Sequence, residues 1–139
     1  MEFSSHIKYQ KGFRYQTVET HIFNVACRPP RIANTQFINL TTAGILTIKC
    51  GYSWDGPSGP TINTDNFMRG SLVHDALYEL MRKGFLALNE KKNADDELIR
   101  LCKEDGMWGI RRWWVYRGLH RFGEAATLPI NKRKTYTAP

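Results

Sequence analysis

A chain of 139 residues holds one domain's worth of material, and with 42% hydrophobic and 12% aromatic residues it can close a core, which excludes wholesale disorder. No stretch approaches the ~20 consecutive apolar residues of a membrane span, and three widely spaced cysteines (Cys27, Cys50, Cys102) with no CxxC pair argue against a disulfide framework or a structural zinc site. The net charge of +7 sits at the two ends, because residues 51–110 hold ten of the thirteen acids; that middle is no bed for a phosphate backbone, but suits a cation or carboxylate chemistry.

Met1-Glu2-Phe3-Ser4-Ser5-His6 lacks a basic start followed by an apolar run, so no signal peptide is expected and synthesis in the cytoplasm is. Residues 1–50 read as an antiparallel β region. Phe13–Val18 and His21–Val25 are short, β-branched and aromatic. Arg28-Pro29-Pro30-Arg31 breaks the chain, since proline cannot donate to a ladder. Phe37–Leu40 and Ile45–Ile48 flank Thr41-Thr42-Ala43-Gly44 as a hairpin. Nothing in this third suggests chemistry.

Residues 51–62 read as a stiff, irregular loop, with three glycines and two prolines between Gly51 and Thr61. Such loops point carbonyls and amides inward and bind ions or phosphates. Residues 63–123 turn helical. Asn63-Thr64-Asp65 offers caps, Phe67, Leu72, Ala76 and Leu80 recur at helical spacing, and Gly84 is a stop. A second helix is expected after Lys91-Lys92-Asn93, with Asp95, Asp96 and Glu97 in its first turn, where the macrodipole favours acids. A third, roughly Met107 to Phe122, interleaves Trp108, Trp113 and Trp114 with Arg111, Arg112, Arg117 and Arg121. That pattern suits a lipid surface, a packed helix with snorkelling arginines, or a contact between subunits. Residues 124–139 form a basic tail, for which no nucleic-acid-binding motif is present. The expected fold is a single α+β domain: antiparallel strands and hairpins, a Gly/Pro-rich loop, then three helices.

The chemistry-bearing residues lie on the first two helices. His74 and Tyr78 are four apart and share a face, while Asp75 is turned by ~100°. If the helices pack antiparallel, His74 and Tyr78 meet Asp95 and Asp75 faces the glycine-rich loop. An imidazole held by a carboxylate is a general base of fixed tautomer. A carboxylate beside inward carbonyls is a hard-cation site. Together they describe ester hydrolysis by an activated water, with no covalent enzyme intermediate. The pairing has a condition: His74 lies ten residues before Gly84, so residues 84–93 must run back beside the first helix before the second begins. The plainer alternatives are a satisfied core histidine, Asp75 paired with Arg69 or Arg82, Asp55 closing a rigid turn on its own backbone instead of binding metal, and Cys102 as core.

His74-Asp75-Ala76-Leu77-Tyr78, followed 21 residues after His74 by Asp95 in Ala94-Asp95-Asp96-Glu97-Leu98, resembles the phospholipase A(2) signature. The likeness is to the short, disulfide-free form embedded in parvovirus capsid proteins, with Gly56-Pro57-Ser58-Gly59-Pro60 standing where that family has a glycine-proline-glycine loop. It covers about residues 51–105, and the loop lacks the family's Gly-x-Gly-Gly run. The resemblance implies that His74 is the general base, Asp95 its orienting partner and Tyr78 a buttress to Asp95. It also implies that Asp75 ligates calcium with carbonyls near Gly56 to Gly59. The longer stretch WDGPSGP, RGSLVHDALY, ADDEL, EDGM and WWVYRG is similar to a functionally unassigned family of small phage and prophage proteins, and implies a bacteriophage origin.

Two functions follow from these resemblances. One is calcium-dependent lipid ester hydrolysis at a phospholipid membrane during host penetration or lysis. The other is a non-enzymatic virion component, in the tail or capsid, whose His/Asp/Tyr cluster is structural and whose partners are other virion proteins. A metal-dependent phosphohydrolase of the HD type needs a further upstream histidine on a helix, and His6 and His21 sit in strand-like sequence.

Overall fold

The structure, a computed structural model, describes residues 2–10, 15–54, 65–106 and 109. Among the described residues, seven short strands precede two helices: β1 (Tyr9–Gln10), β2 (Tyr15–Thr17), β3 (His21–Asn24), β4 (Ala33–Asn34), β5 (Ile38–Leu40), β6 (Ile45–Ile48), β7 (Ser53–Trp54), α1 (Asp65–Arg82) and α2 (Lys91–Glu104). The fold is α+β with antiparallel sheets, as expected. The third expected helix and the basic tail lie outside the described residues.

The strands form two sheets, ordered β1-β2-β7 and β3-β6-β5-β4. In the larger, β5 and β6 are the hairpin that Thr41–Gly44 closes, with Leu40 opposite Leu46 and Ile38 opposite Ile48. Period-two alternation puts Phe23, Ile38, Leu40, Leu46 and Ile48 inward, each at most 2% exposed. The smaller sheet corrects the reading of residues 51–62 as wholly irregular. Ser53 and Trp54 pair with Gln16 and Tyr15. Trp54 is the cause: buried beside the Tyr15 ring (centroids 5.6 Å apart), it donates its indole N–H to Ser71 Oγ on α1 at 3.0 Å, which ties the segment to the helix.

α1 is buried around almost its whole circumference, with the polar Arg69, Ser71 and His74 among its buried residues. Met68, Leu72, Val73, Ala76, Leu77, Leu80 and Met81 share one core cluster with the inward strand residues and with Ala94 and Leu101 of α2. The helix stops where Gly84 adopts φ +81°, so that Gly84 N–H reaches Met81 C=O (3.0 Å) and Phe85 N–H reaches Leu80 C=O (2.9 Å). This Schellman closure needs a left-handed residue, which glycine adopts without strain.

α2 starts earlier than the acid-rich first turn predicts. It begins at Lys91, after a 3-10 turn over Leu88–Glu90, and its first turn holds no acid. Lys91 and Lys92 reach Asp95 and Asp96 one turn on, at 2.7 and 2.8 Å, so side-chain pairing at i,i+4 extends the helix backwards where the macrodipole argument pointed forwards. The His74–Asp95 pairing is made because α2 itself starts at Lys91 and packs on α1, not because residues 84–93 run back beside α1 before the second helix begins.

Candidate functional site

α1 and α2 pack antiparallel as a hairpin, and one position lets them close. At Gly70 an added Cβ would stand 2.7 Å from Leu98 Cδ1, 3.1 Å from Leu98 O and 3.2 Å from Cys102 Sγ. One turn along α1 from this contact His74 faces α2, and a further turn brings Tyr78.

His74 Nε2 lies 2.8 Å from Asp95 Oδ1, and Tyr78 O–H donates to the same oxygen at 2.5 Å. The imidazole and phenol rings are in contact, tilted by 42° with centroids 3.9 Å apart. Lys91 Nζ donates to the other oxygen, Oδ2, at 2.7 Å. His74, Tyr78 and Asp95 are 6%, 3% and 1% exposed, so the three donors replace water around a carboxylate that burial alone would disfavour.

Each titration follows from that geometry. Burial would raise the pKa of Asp95, but hydrogen bonds from His74, Lys91 and Tyr78 outweigh it and hold the carboxyl below its usual range. Burial, then the hydrogen bond to anionic Asp95, push the Tyr78 phenol upward, so it stays a donor. For His74, burial opposes the charged ring; the Asp75 and Asp95 carboxylates outweigh that and raise its pKa. Asp75 Oδ1 stands 4.0 Å from His74 Nδ1, beyond hydrogen-bond reach, and acts through space. The network assigns the neutral tautomer: Nε2–H donates to Asp95, leaving the Nδ1 lone pair towards Asp75, whose side chain is 34% exposed.

The structure therefore brings His74, Tyr78 and Asp95 together and sets Asp75 beside the free nitrogen. Asp55, Gly56 and Gly59 lie outside the described residues. Among the described residues no group of three or more His, Cys, Asp or Glu is placed to hold a metal. A calcium ion takes six to eight oxygen ligands, of which the described residues around His74 offer the Asp75 carboxylate alone.

The suggestion that Asp75 pairs with Arg69 is corrected. Arg69, buried, donates from Nε to Asp105 Oδ2 at 3.1 Å, pairs with Asp105 Oδ1 at 2.9 Å and donates to Ser4 C=O at 3.1 Å. The reason is the helix hairpin, which sets the C-terminal end of α2 against the start of α1. Cys102 is core, as expected.

Two participants were missed. Lys91 is legible only once α2 is known to begin there, since it then stands four residues before Asp95 on one face. Glu97 is buried because its Oε1 accepts Ala26 N–H at 3.0 Å while Arg100 binds Oε2 at 2.7 and 3.0 Å, clamping α2 to the end of β3. Its partner is 71 residues away, and no local pattern signals it. A shallow cavity of about 200 Å³ opens nearby between Glu79 and Lys83 of α1 and Phe37, Tyr52 and Ser53. His74, Tyr78 and Asp95 do not line it.

Comparison with known proteins adds nothing to this geometry: no family model, curated protein or solved structure matches the chain.

Proposed function

We propose that this is a bacteriophage protein with a phospholipase A(2)-like site that hydrolyses a lipid ester in a calcium-dependent reaction during host penetration or lysis. The observation that supports this reading is the buried His74–Asp95 hydrogen bond of 2.8 Å with Tyr78 on the same carboxylate oxygen. Asp95 fixes the ring through Nε2, so Nδ1 is the nitrogen that takes a proton from water as the oxygen attacks the ester carbonyl. The same proton passes to the departing alcohol oxygen, and the acyl group leaves as the fatty acid. Asp95 stabilises the imidazolium formed in between, and Tyr78 holds Asp95 in place. Calcium, held by Asp75 with loop donors near Gly56 and Gly59 and with Asp55, would polarise the carbonyl oxygen when bound. The protein would be made in the host cytoplasm and act on a phospholipid surface.

One observation favours a second reading. Lys91 occupies Asp95 Oδ2, and the His74 ring is 6% exposed, so the network is closed among its own members. On that reading the chain is a non-enzymatic virion component, in tail or capsid, and the cluster fastens α1 to α2.

Vesicles of mixed anionic and zwitterionic phospholipid separate the two. The hydrolase reading expects fatty-acid release that needs calcium and disappears in His74→Ala, with calcium binding seen by calorimetry. No turnover and no calcium binding, with His74→Ala only lowering stability, would leave the structural reading. Mass spectrometry of purified virions tests particle membership separately.

A further inference from the structure

The N-terminal residues are fastened at a point the proposed site does not use. Residues 4–8 run along β3, which is the edge strand of the larger sheet among the described residues. Ser4 N–H donates to Ile22 C=O at 2.6 Å and Ile22 N–H donates back to Ser4 Oγ at 2.9 Å. Lys8 N–H donates at 3.2 Å to the ring nitrogen Nε2 of His21. Arg69 of α1 holds the Ser4 carbonyl, and Ile7 packs on the core. The segment thus covers backbone groups of an edge that would otherwise be open to another strand.

His21 is the unusual member. It is 2% exposed, on the inward face of β3 between Ile48, its cross-strand partner, and Phe23. To accept from a backbone N–H, Nε2 must be unprotonated, so the ring is neutral with its proton on Nδ1. A proton added to Nε2 turns the acceptor into a donor facing a donor and places a charge in the core. The acidic group facing the ring is Glu19 of the β2–β3 turn, which favours the proton. The backbone hydrogen bond with Lys8 also favours it, while the charges of His6 and Lys8 in the segment itself oppose it, and burial outweighs the two favourable influences. Glu19 is also held by Lys8 Nζ at 3.4 Å, an exposed pair.

We propose that His21 is a pH-sensitive latch: its protonation releases residues 4–8 and uncovers the edge of β3. Burial is the largest influence on the ring and lowers its pKa, in keeping with a neutral closed state. The sign follows. With the closed-state pKa below that of a free histidine, about 6.5, the latch holds fully above that pH and weakens as the pH falls through the closed-state value. This inference is independent of any catalysis at His74.

The test is amide hydrogen exchange with the full chain at pH 7.5 and pH 5, compared as protection factors so that intrinsic rates cancel. Lys8 and Ile22 are expected to lose roughly tenfold protection at the lower pH, the size of one buried hydrogen bond, while Leu72 and Leu77 in α1 keep theirs. His21→Gln keeps an acceptor but cannot titrate, and the pH response should vanish. Unchanged protection at Lys8 and Ile22, the same response in His21→Gln, or parallel loss in α1 each overturn the latch. If His21→Gln does not fold, nitrogen chemical shifts of the wild-type ring decide: Nε2 must protonate with the same midpoint as the loss of Lys8 protection, and a different midpoint refutes the proposal.

Discussion

Replacing Asp95 with asparagine tests the network in a way that separates its members. The carboxylate is 1% exposed and accepts from His74, Tyr78 and Lys91. Asparagine has nearly the same shape and keeps one acceptor oxygen, which retains His74 and Tyr78. Its NH2 group then meets the Lys91 ammonium, donor against donor, and the negative charge that stabilised Lys91 and favoured the protonated form of His74 is gone. One charge-assisted hydrogen bond is worth about 1.5–3 kcal/mol, and breaking a buried ion pair from one side costs about 3–5 kcal/mol. Lys91, at 18% side-chain exposure, escapes part of this by turning to water. The expected loss is therefore about 3 kcal/mol, or a fall in Tm of about 10 °C for a domain of this size. Urea unfolding at pH 7 measures it directly. The second half of the test is a double-mutant cycle with Lys91→Met, expected to cost about 2 kcal/mol in the wild type and close to nothing beside Asp95→Asn. A loss below about 1 kcal/mol for Asp95→Asn, or an equal cost of Lys91→Met in both backgrounds, would refute the claim that this carboxylate organises the hairpin.

The pH dependence has a definite sign. Because the folded-state pKa of His74 is raised, its contribution to stability is complete below the unfolded value of about 6.5 and disappears as pH rises through the folded value. The stability gap between wild type and Asp95→Asn should accordingly be wider at pH 6 than at pH 9 in urea titrations; a gap that grows with pH contradicts the assignment. Gly70→Ala places a methyl against the Leu98 carbonyl and Cys102 Sγ. Overpacking of about 1–3 kcal/mol there should exceed the ~1 kcal/mol gained from helix propensity. Thermal melts should show net destabilisation, and a stabilised variant would mean the helices part without strain.

The alternation at Ile38, Leu40, Leu46 and Ile48, the Thr41–Gly44 hairpin and the Gly84 stop are local matters of side-chain period and backbone φ, and they stand in the residue order without reference to the rest of the chain. So does the sharing of one helical face by His74 and Tyr78, because 3.6 residues per turn leave no choice. What folding decided was every pairing between segments distant in the chain. The strand at Ser53–Trp54 exists because Ser71 accepts the indole proton; the two preceding residues alone carry no such instruction. Arg69 went to Asp105, not Asp75, because the hairpin sets the end of α2 beside the start of α1. The start of α2 moved to Lys91, where the Lys91 ammonium reaches the buried Asp95 carboxylate one turn on. Glu97 and His21 acquired their roles from backbone amides 71 and 13 residues away. Periodicity encodes which way a side chain points; only the packed chain brings a partner to meet it, because burial makes an unmet polar group too costly to leave.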